Sequence, residues 1–304
     1  VSFAAVVVSY NRLPLLKKCL TALEKQSHPL DEIIVIDNGS TDGSADYIRT
    51  THPEVTLFET STNLGGAGGF AWGIELALAR GHEAAWLMDD DAEPELDAAA
   101  PLIDSFQSQD LKPAFIASLV TAGRGKFNKR NPPVVSTDPQ HQVRAADYGG
   151  FAIQTATFVG VMINLEEASR THLPMADYFI WMDDSEYTHR LSDSRFAMLL
   201  PDSMVNHPDN KPISNDMGER LFYFTRNRLW YTRSRTSAIS TDILEIIGVA
   251  LHAIKQFPIA ASKKTWFSSV TRGFWCGFFQ QPRKVMPGEL IATLPDAERK
   301  RLGI

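Results

Sequence analysis

Three consecutive carboxylates, Asp89, Asp90 and Asp91, stand directly behind the apolar run Trp86-Leu87-Met88. Like charges this close repel unless something positive sits among them. In extended backbone, residues i and i+2 point the same way. Asp89 and Asp91 can then share one hard cation, Mn2+ or Mg2+, bridged to a diphosphate, with Asp90 facing elsewhere. The competing reading is a solvated acidic turn capping a helix that begins near Pro94. His207, in Val205-Asn206-His207-Pro208, would complete an O,O,N metal site; taken alone it reads as a structural or surface histidine. Trp181-Met182-Asp183-Asp184-Ser185-Glu186 places acids just before a helix and after the aromatic run Tyr178-Phe179-Ile180. Those acids could cap the helix, or one could act as a general base beside an aromatic sugar platform. Asn63-Leu64-Gly65-Gly66-Ala67-Gly68-Gly69 reads as a bland strand-to-helix turn, or as one whose N–H groups approach a phosphate or sugar.

These groups need elements to hold them, and the first half of the chain alternates strand and helix signals. Phe3–Val8, Glu32–Ile36, Val55–Phe58 and Ala85–Met88 read as buried strands. Leu13–Lys25, with Leu16, Cys19, Leu20 and Leu23 at helical spacing, Ser44–Thr50 and Gly69–Arg80 read as the intervening helices. Such alternation predicts an α/β fold, a doubly wound, Rossmann-like and mostly parallel sheet with right-handed crossovers. In such sheets ligands bind beyond the carboxyl ends of the strands. Ser9-Tyr10-Asn11-Arg12, Asp37-Asn38-Gly39-Ser40 and the three aspartates all sit at such ends, so one rim should carry all three.

Past Ala114 the pattern changes. Ala114–Val120 and Arg195–Leu200 read as strands, and Phe151–Asn164 as one or two antiparallel strands. Gly123–Gln142, rich in Gly, Pro, Lys, Arg and Asn, reads as a long exposed loop. Asp184–Asp193, Glu219–Arg235, Asp242–Gln256 and Lys264–Phe279 read as helices.

With 304 residues and 44% hydrophobic content, the chain can bury one large core or a core plus a smaller domain. Two distant cysteines, Cys19 and Cys276, support neither a disulfide framework nor a common zinc site, and suit reducing conditions. P-loop, GxSxG, HExxH and CxxC motifs are absent. The first apolar run is too short for a signal peptide, and no run reaches the ~18 residues of a membrane span. Charge is uneven: from Lys211 onward there are 15 Lys/Arg against 7 Asp/Glu, so the strongly acidic body needs a cation to hold a phosphate donor. The basic, aromatic end suits either packing on the core or an anionic membrane surface. A pI near 5.8 without a recognition motif argues against nucleic acid as a partner.

Val7–Arg12, Ile36–Asp42, Asn63–Gly66 and Asp89–Asp91, in this order, resemble the family 2 glycosyltransferases of GT-A fold. Asn63–Phe70, Trp181–Glu186 and His207 are most similar to the bacterial galactofuranosyltransferases, with rhamnosyltransferases as close neighbours; Phe222–Asn227 recurs there too. The resemblance implies an inverting, metal-dependent transferase that uses a nucleotide-sugar donor and a glycan or lipid-linked glycan acceptor. It implies donor contacts from Ser9, Asn11, Arg12, Asp37, Asn63, Gly65, Gly66 and Asp90. Asp89, Asp91 and His207 would hold Mn2+ or Mg2+. Asp184 would be the catalytic base, with Asp183 and Trp181 near the acceptor. Asp183-Asp184 stands where the family more often has Glu-Asp, which leaves the choice between the two open.

The expected organisation is a GT-A catalytic domain over 1–215, with its donor half in about 1–120 and its acceptor half in about 121–215. A helical C-terminal extension would follow over 216–304. The expected location is cytoplasmic, at most peripheral on the inner face of the plasma membrane. A dTDP-rhamnose transferase is the near rival. A nucleotidyltransferase would carry a Gly-rich, basic signature near the first strand, which Val8–Pro14 lacks. A non-catalytic nucleotide-sugar-binding protein would be expected to have lost one of Asp89, Asp91, Asp184 or His207.

Overall fold

The computed structural model describes residues 2–108, 112–123, 126–208, 214–235 and 239–304. β1 (Phe3–Ser9), α1 (Leu13–Glu24), β2 (Glu32–Asp37), α2 (Ser44–Thr51), β3 (Thr56–Glu59), α3 (Gly65–Ala79) and β4 (Ala84–Asp89) alternate as the pattern predicts. β3, β2, β1 and β4 lie side by side and parallel. Every residue of β1 is buried, as expected of a strand covered on both faces. Phe3, Ala5 and Val7 pack with Leu16, Cys19, Leu20 and Leu23 of α1 on one side. Ala4, Val6 and Val8 pack with Phe70, Ile74 and Ala77 of α3 on the other. Each fully buried Val or Ile contributes about 1.5–3 kcal/mol.

The helix expected over 69–80 begins earlier, at Gly65. Glycine's poor helix propensity hides this start, whereas close packing requires it. A Cβ on Gly69 would lie 2.5 Å from Val8 Cγ1, and one on Gly73 would lie 2.2 Å from Val6 Cγ1. The glycines let α3 settle onto β1.

The chain continues through β5 (Glu93–Pro94), α4 (Ala99–Ser108), β6 (Phe115–Thr121), β7 (Val134–Val135), α5 (Pro139–Ala146), β8 (Phe151–Thr155), β9 (Val161–Asn164), α6 (Leu165–Ser169), α7 (Asp183–Ser194) and β10 (Ala197–Asn206). All ten strands among the described residues join one sheet in the order β3-β2-β1-β4-β9-β6-β10-β8-β7, with β5 paired to β10. Only β5, β8 and β9 oppose the common direction, so the sheet is mostly parallel. β8 and β9 are both antiparallel to their neighbours but do not pair with each other. No helix starts near Pro94; that segment is β5. The loop expected over 123–142 contains β7 and the start of α5, which Asp138 caps by accepting from Gln140 N at 2.8 Å. Residues 124 and 125 of that stretch lie outside the described residues.

Three longer helices follow, α8 (Arg220–Ser234), α9 (Ile239–Gln256) and α10 (Lys263–Phe279), then two short ones, α11 (Glu289–Ala292) and α12 (Asp296–Arg301). α10 sits close on α8 through small residues: a Cβ on Gly277 would lie 2.6 Å from Leu229 Cδ1. The two short helices have no clear sequence signal. They return to the first half of the chain, where buried Glu75 accepts from Gly288 N at 2.8 Å and Ile291 N at 3.2 Å.

Candidate active site

β4 delivers Asp89 at its last residue, and the chain then turns, with Ala92 N donating to Asp89 O at 3.1 Å. Asp89 and Asp91 therefore converge through a turn, not through strand alternation. β5 pairs with the end of β10, Asn206 opposite Glu93, which brings His207 to the aspartates. His207 N donates to Thr121 O at 2.8 Å, and Asn128 Nδ2 donates to His207 O at 3.0 Å. Ligand atoms of Asp89, Asp91 and His207 all lie within 4.8 Å of one another. Asp91 Oδ1 is buried and accepts no hydrogen bond among the described residues, although His207 Nε2 lies 3.1 Å away. Two carboxylates and an imidazole with converging ligand atoms fit a hard divalent cation. Among the described residues one other group, Glu24, His52 and Glu54, has ligand atoms as close, but two of its members are exposed and none lines the cleft described below.

The electrostatics show the strain of this cluster. Desolvation pushes Asp89 up to about 8, with Asp91 and Asp90 adding to it against His207 and Arg12. Desolvation also lifts Asp90 to about 6, against Arg12 and the hydroxyl of Ser9. Desolvation works on Asp91 too, but His207 and Arg12 outweigh it and hold that carboxyl below its ordinary value. For His207, Asp91 and Asp89 overcome desolvation and raise the ring. Arg12 Nη1 lies 2.8 Å from Asp91 Oδ2 and 3.4 Å from Asp90 Oδ1. Ser9 Oγ donates to Asp90 Oδ2 at 2.9 Å, and Tyr10 N to the same oxygen at 3.2 Å. Asp90 thus stands outside the metal group and ties the end of β4 to the end of β1.

A cleft of about 520 Å³ opens over this cluster. That lies within the ~300–1,000 Å³ typical of small-molecule sites. Asp89, Asp90, His207, Arg12, Asn63, Gly65 and Gly66 line it, together with Trp181, Asp183 and Asp184. The glycine-rich start of α3 is held by Asn63 Oδ1, which accepts from Gly65 N at 2.8 Å, and by Asn38 Nδ2, which donates to Gly65 O at 2.8 Å.

The segment before α7 is backbone-strained. Phe179, Trp181 and Met182 have φ of 64°, 63° and 68°. Non-glycine residues there cost roughly 1–3 kcal/mol each. Asn227, on α8 and fully buried, offsets this by donating from Nδ2 to the carbonyls of Tyr178, Ile180 and Trp181 at 2.8, 2.6 and 3.1 Å. Trp181 faces the cleft, and the Arg220 guanidinium sits over its ring at 5.0 Å. Asp183 and Asp184 open α7 directly behind. Desolvation raises both. The charge of Asp184 lifts Asp183 further, while Ser185 opposes the rise at Asp184, donating to its Oδ1 from N at 2.6 Å and from Oγ at 3.1 Å.

Ser9, Asn11, Asp37 and Asp91 do not line the cleft. Ser9 and Asp37 are 1% exposed. Asp37 accepts from Ser40 N at 2.6 Å, and Asn11 accepts from Thr41 N at 2.7 Å, so both shape the rim loops. Sequence reasoning missed Arg130, Asn131, Thr157 and Phe158, which line the cleft from the far half of the sheet. Asn131 Nδ2 donates to Thr157 Oγ1 at 3.1 Å, but its Oδ1 is buried with no partner among the described residues. Neither residue stands in a recognisable motif.

The family model described as Glycosyl transferase family 2 matches residues 4–165. Over 90 residues the chain is 40% identical to galactofuranosyltransferase GlfT1 of Mycolicibacterium smegmatis, covering 30% of each protein. It is 42% identical over 96 residues to galactofuranosyltransferase GlfT1 of Mycobacterium tuberculosis, covering 31% of this chain and 32% of that one. The chain thus spans about a third of the length of the curated relatives it matches. Among solved structures, S. aureus TarS 1-349 in complex with UDP superposes with a TM-score of 0.59 at 13% identity, over 92% of this chain and 81% of that one. Mannosyltransferase PcManGT from Pyrobaculum calidifontis, in complex with GDP-Man and Mn2+, gives 0.55 at 17% identity, over 99% and 83%. At such identities these structures attest the fold.

Proposed function

Because this chain belongs to glycosyl transferase family 2, we propose that it is an inverting, metal-dependent transferase moving galactofuranose from UDP-galactofuranose to a glycan or lipid-linked glycan acceptor. The observation that carries this reading is that Asp89 and His207, grouped with Asp91 just behind them, share one cleft with Asp183, Asp184 and Trp181. The similarity to galactofuranosyltransferases supports the donor sugar.

Asp89, Asp91 and His207 would hold Mn2+ or Mg2+, which when bound supplies positive charge against the diphosphate. Arg12 and the N-terminal turn of α3, with Asn63, Gly65 and Gly66, receive the donor; Ser9, Asn11, Asp37 and Asp90 shape that wall. The acceptor hydroxyl approaches beside Trp181 and Asp183. Asp184 takes its proton as the oxygen bonds to the anomeric carbon and the bond from that carbon to phosphate breaks. UDP leaves with the bonding electrons, and one displacement inverts the configuration. Desolvation favours Asp184 as the base: a raised carboxylate is a stronger base than a free one. The charge of Asp184 adds to the rise at Asp183, its neighbour on the acceptor side.

In this reading residues 1–215 form the catalytic unit, donor contacts coming from about 1–120 and acceptor contacts from about 121–215. Residues 216–304 form a helical region against an anionic membrane. No described helix is long and apolar enough to cross a bilayer. α9 exposes Ile243, Leu244, Ile247, Leu251 and Ile254 along one stripe. α10 exposes Phe267, Trp275 and Phe279 beside Lys264 and Arg272, and contains no acidic residue. The exposed apolar stripe of α9 and the acid-free, basic and aromatic face of α10 support a peripheral stance on the inner face of the plasma membrane, near a lipid-linked acceptor.

The test is a donor screen with Mn2+ or Mg2+, with and without EDTA, following nucleotide release from UDP-galactofuranose, dTDP-rhamnose, UDP-galactopyranose and UDP-glucose. EDTA-sensitive release from UDP-galactofuranose is expected. Release from dTDP-rhamnose instead would move the assignment to a rhamnosyltransferase. Neither release nor binding of any donor would leave a protein without this activity.

A further inference from the structure

We propose that Asn227, oriented by Arg226, is a positioning residue that sets where the base sits relative to the donor. Among the described residues only four non-glycine residues have positive φ, and three of them, Phe179, Trp181 and Met182, fall in the five residues before Asp183. Left-handed backbone in bulky side chains does not persist without surrounding structure to enforce it. Here the enforcement comes from α8, more than forty residues away in sequence. The Asn227 amide has two hydrogens and reaches three carbonyls, at 2.8 Å (Tyr178), 2.6 Å (Ile180) and 3.1 Å (Trp181). Its orientation is fixed because Arg226 Nε donates to its Oδ1 at 2.9 Å, leaving Nδ2 to face the carbonyls. Arg226 Nη2 also donates to Asp177 O and, at 3.3 Å, to Tyr178 O. The Arg226 guanidinium lies over the ring of Trp230 at 4.1 Å, which pins it in turn.

The clamped segment touches the donor wall on its other side. A Cβ on Gly65 would lie 2.1 Å from Phe179 O, and Ala67 N donates to that same oxygen at 3.3 Å. One short stretch is therefore held between the first turn of α3 and α8. It ends at Met182, the left-handed residue from which Asp183 and Asp184 start α7. Releasing the clamp would leave the donor wall built, since Asn38 and Asn63 hold Gly65 independently, but would let the two aspartates move. The effect should fall on turnover and not on donor affinity.

Asn227→Asp keeps the shape and the Arg226 contact but turns a carboxylate oxygen toward three carbonyls. Hydrogen–deuterium exchange on the full chain should show at least tenfold faster exchange over 178–183, with β1 and β4 unchanged. With UDP-galactofuranose, kcat should fall at least tenfold while KM stays within about threefold. Should Asn227→Asp not fold, Arg226→Lys removes the orienting Nε–H and should give the same signature, more weakly. Unchanged exchange would overturn the clamp, and faster exchange with unchanged kcat would overturn the positioning role. The proposal rests on Asp184 as base, and Asp184→Asn separates the two. Near-wild-type turnover there would remove the base, while the exchange result still reports on the clamp.

Discussion

Replacing Gly65 by alanine adds one methyl group at a backbone φ of +72°. Left-handed φ costs an L-residue about 1–2 kcal/mol. The new Cβ would also lie 2.1 Å from Phe179 O and 2.7 Å from Phe179 C, both backbone atoms. Backbone cannot rotate away as a side-chain tip can, so an overpacking cost of about 1–3 kcal/mol is added. The sum, about 2–5 kcal/mol, is a large part of a typical domain stability of ~5–15 kcal/mol. At roughly 2–4 °C per kcal/mol, the melting temperature should fall by about 4–20 °C. Gly66→Ala is the control one residue on. Its φ is not positive, and its Cβ would meet only Phe70 Cε2 at 4.0 Å. Alanine at such a helical position should stabilise by about 0.4–1 kcal/mol. Differential scanning calorimetry of both variants without ligand is the assay. Equal shifts for the two would refute the reasoning, because helix propensity alone would then explain both.

Asp183→Asn should raise the melting temperature at neutral pH. The folded carboxyl is raised, so the folded state holds the proton more tightly than the unfolded state does. Stability therefore falls as pH rises from the ordinary aspartate value of about 3.9 toward the raised folded value. The gain from Asn should grow across that window and vanish below it; a pH-independent gain would contradict this account. Asp89→Ala should weaken Mn2+-dependent UDP binding at least tenfold by calorimetry, and EDTA should bring the wild type to the same level. Replacing Trp275 and Phe279 together by alanine should cut sedimentation with phosphatidylglycerol vesicles at least fivefold; unchanged sedimentation would remove α10 from the membrane contact.

Much of the parallel half was legible because burial on both faces forces Val/Ile runs, as in β1 and β2, and because Leu16, Cys19, Leu20 and Leu23 mark the inner face of α1. The rim followed from the alternation, since Ser9, Asp37 and Asp89 each end a strand. What stayed hidden depends on pairings distant in sequence. The sequence pairs His207 with Asp89 and Asp91, but the route that joins them, β5 against β10, runs through a two-residue strand that no periodicity can reveal. The start of α3 at Gly65 contradicts local propensity and makes sense only against Val6, Val8 and Phe179. Asn227 reads as one polar residue on a mixed helix until its three carbonyl partners are seen. Arg130 and Asn131 lie in a polar stretch whose composition signals a loop and nothing about its contents.

Transfer by a single displacement with Asp184 as base is tested most directly by comparing UDP release from UDP-galactofuranose by the wild type and Asp184→Asn, with Mn2+ and a glycan acceptor. General-base assistance contributes about 10²–10⁴-fold. Asp184→Asn should lose at least a hundredfold in turnover with UDP affinity unchanged, and turnover close to wild type would contradict Asp184 as the base.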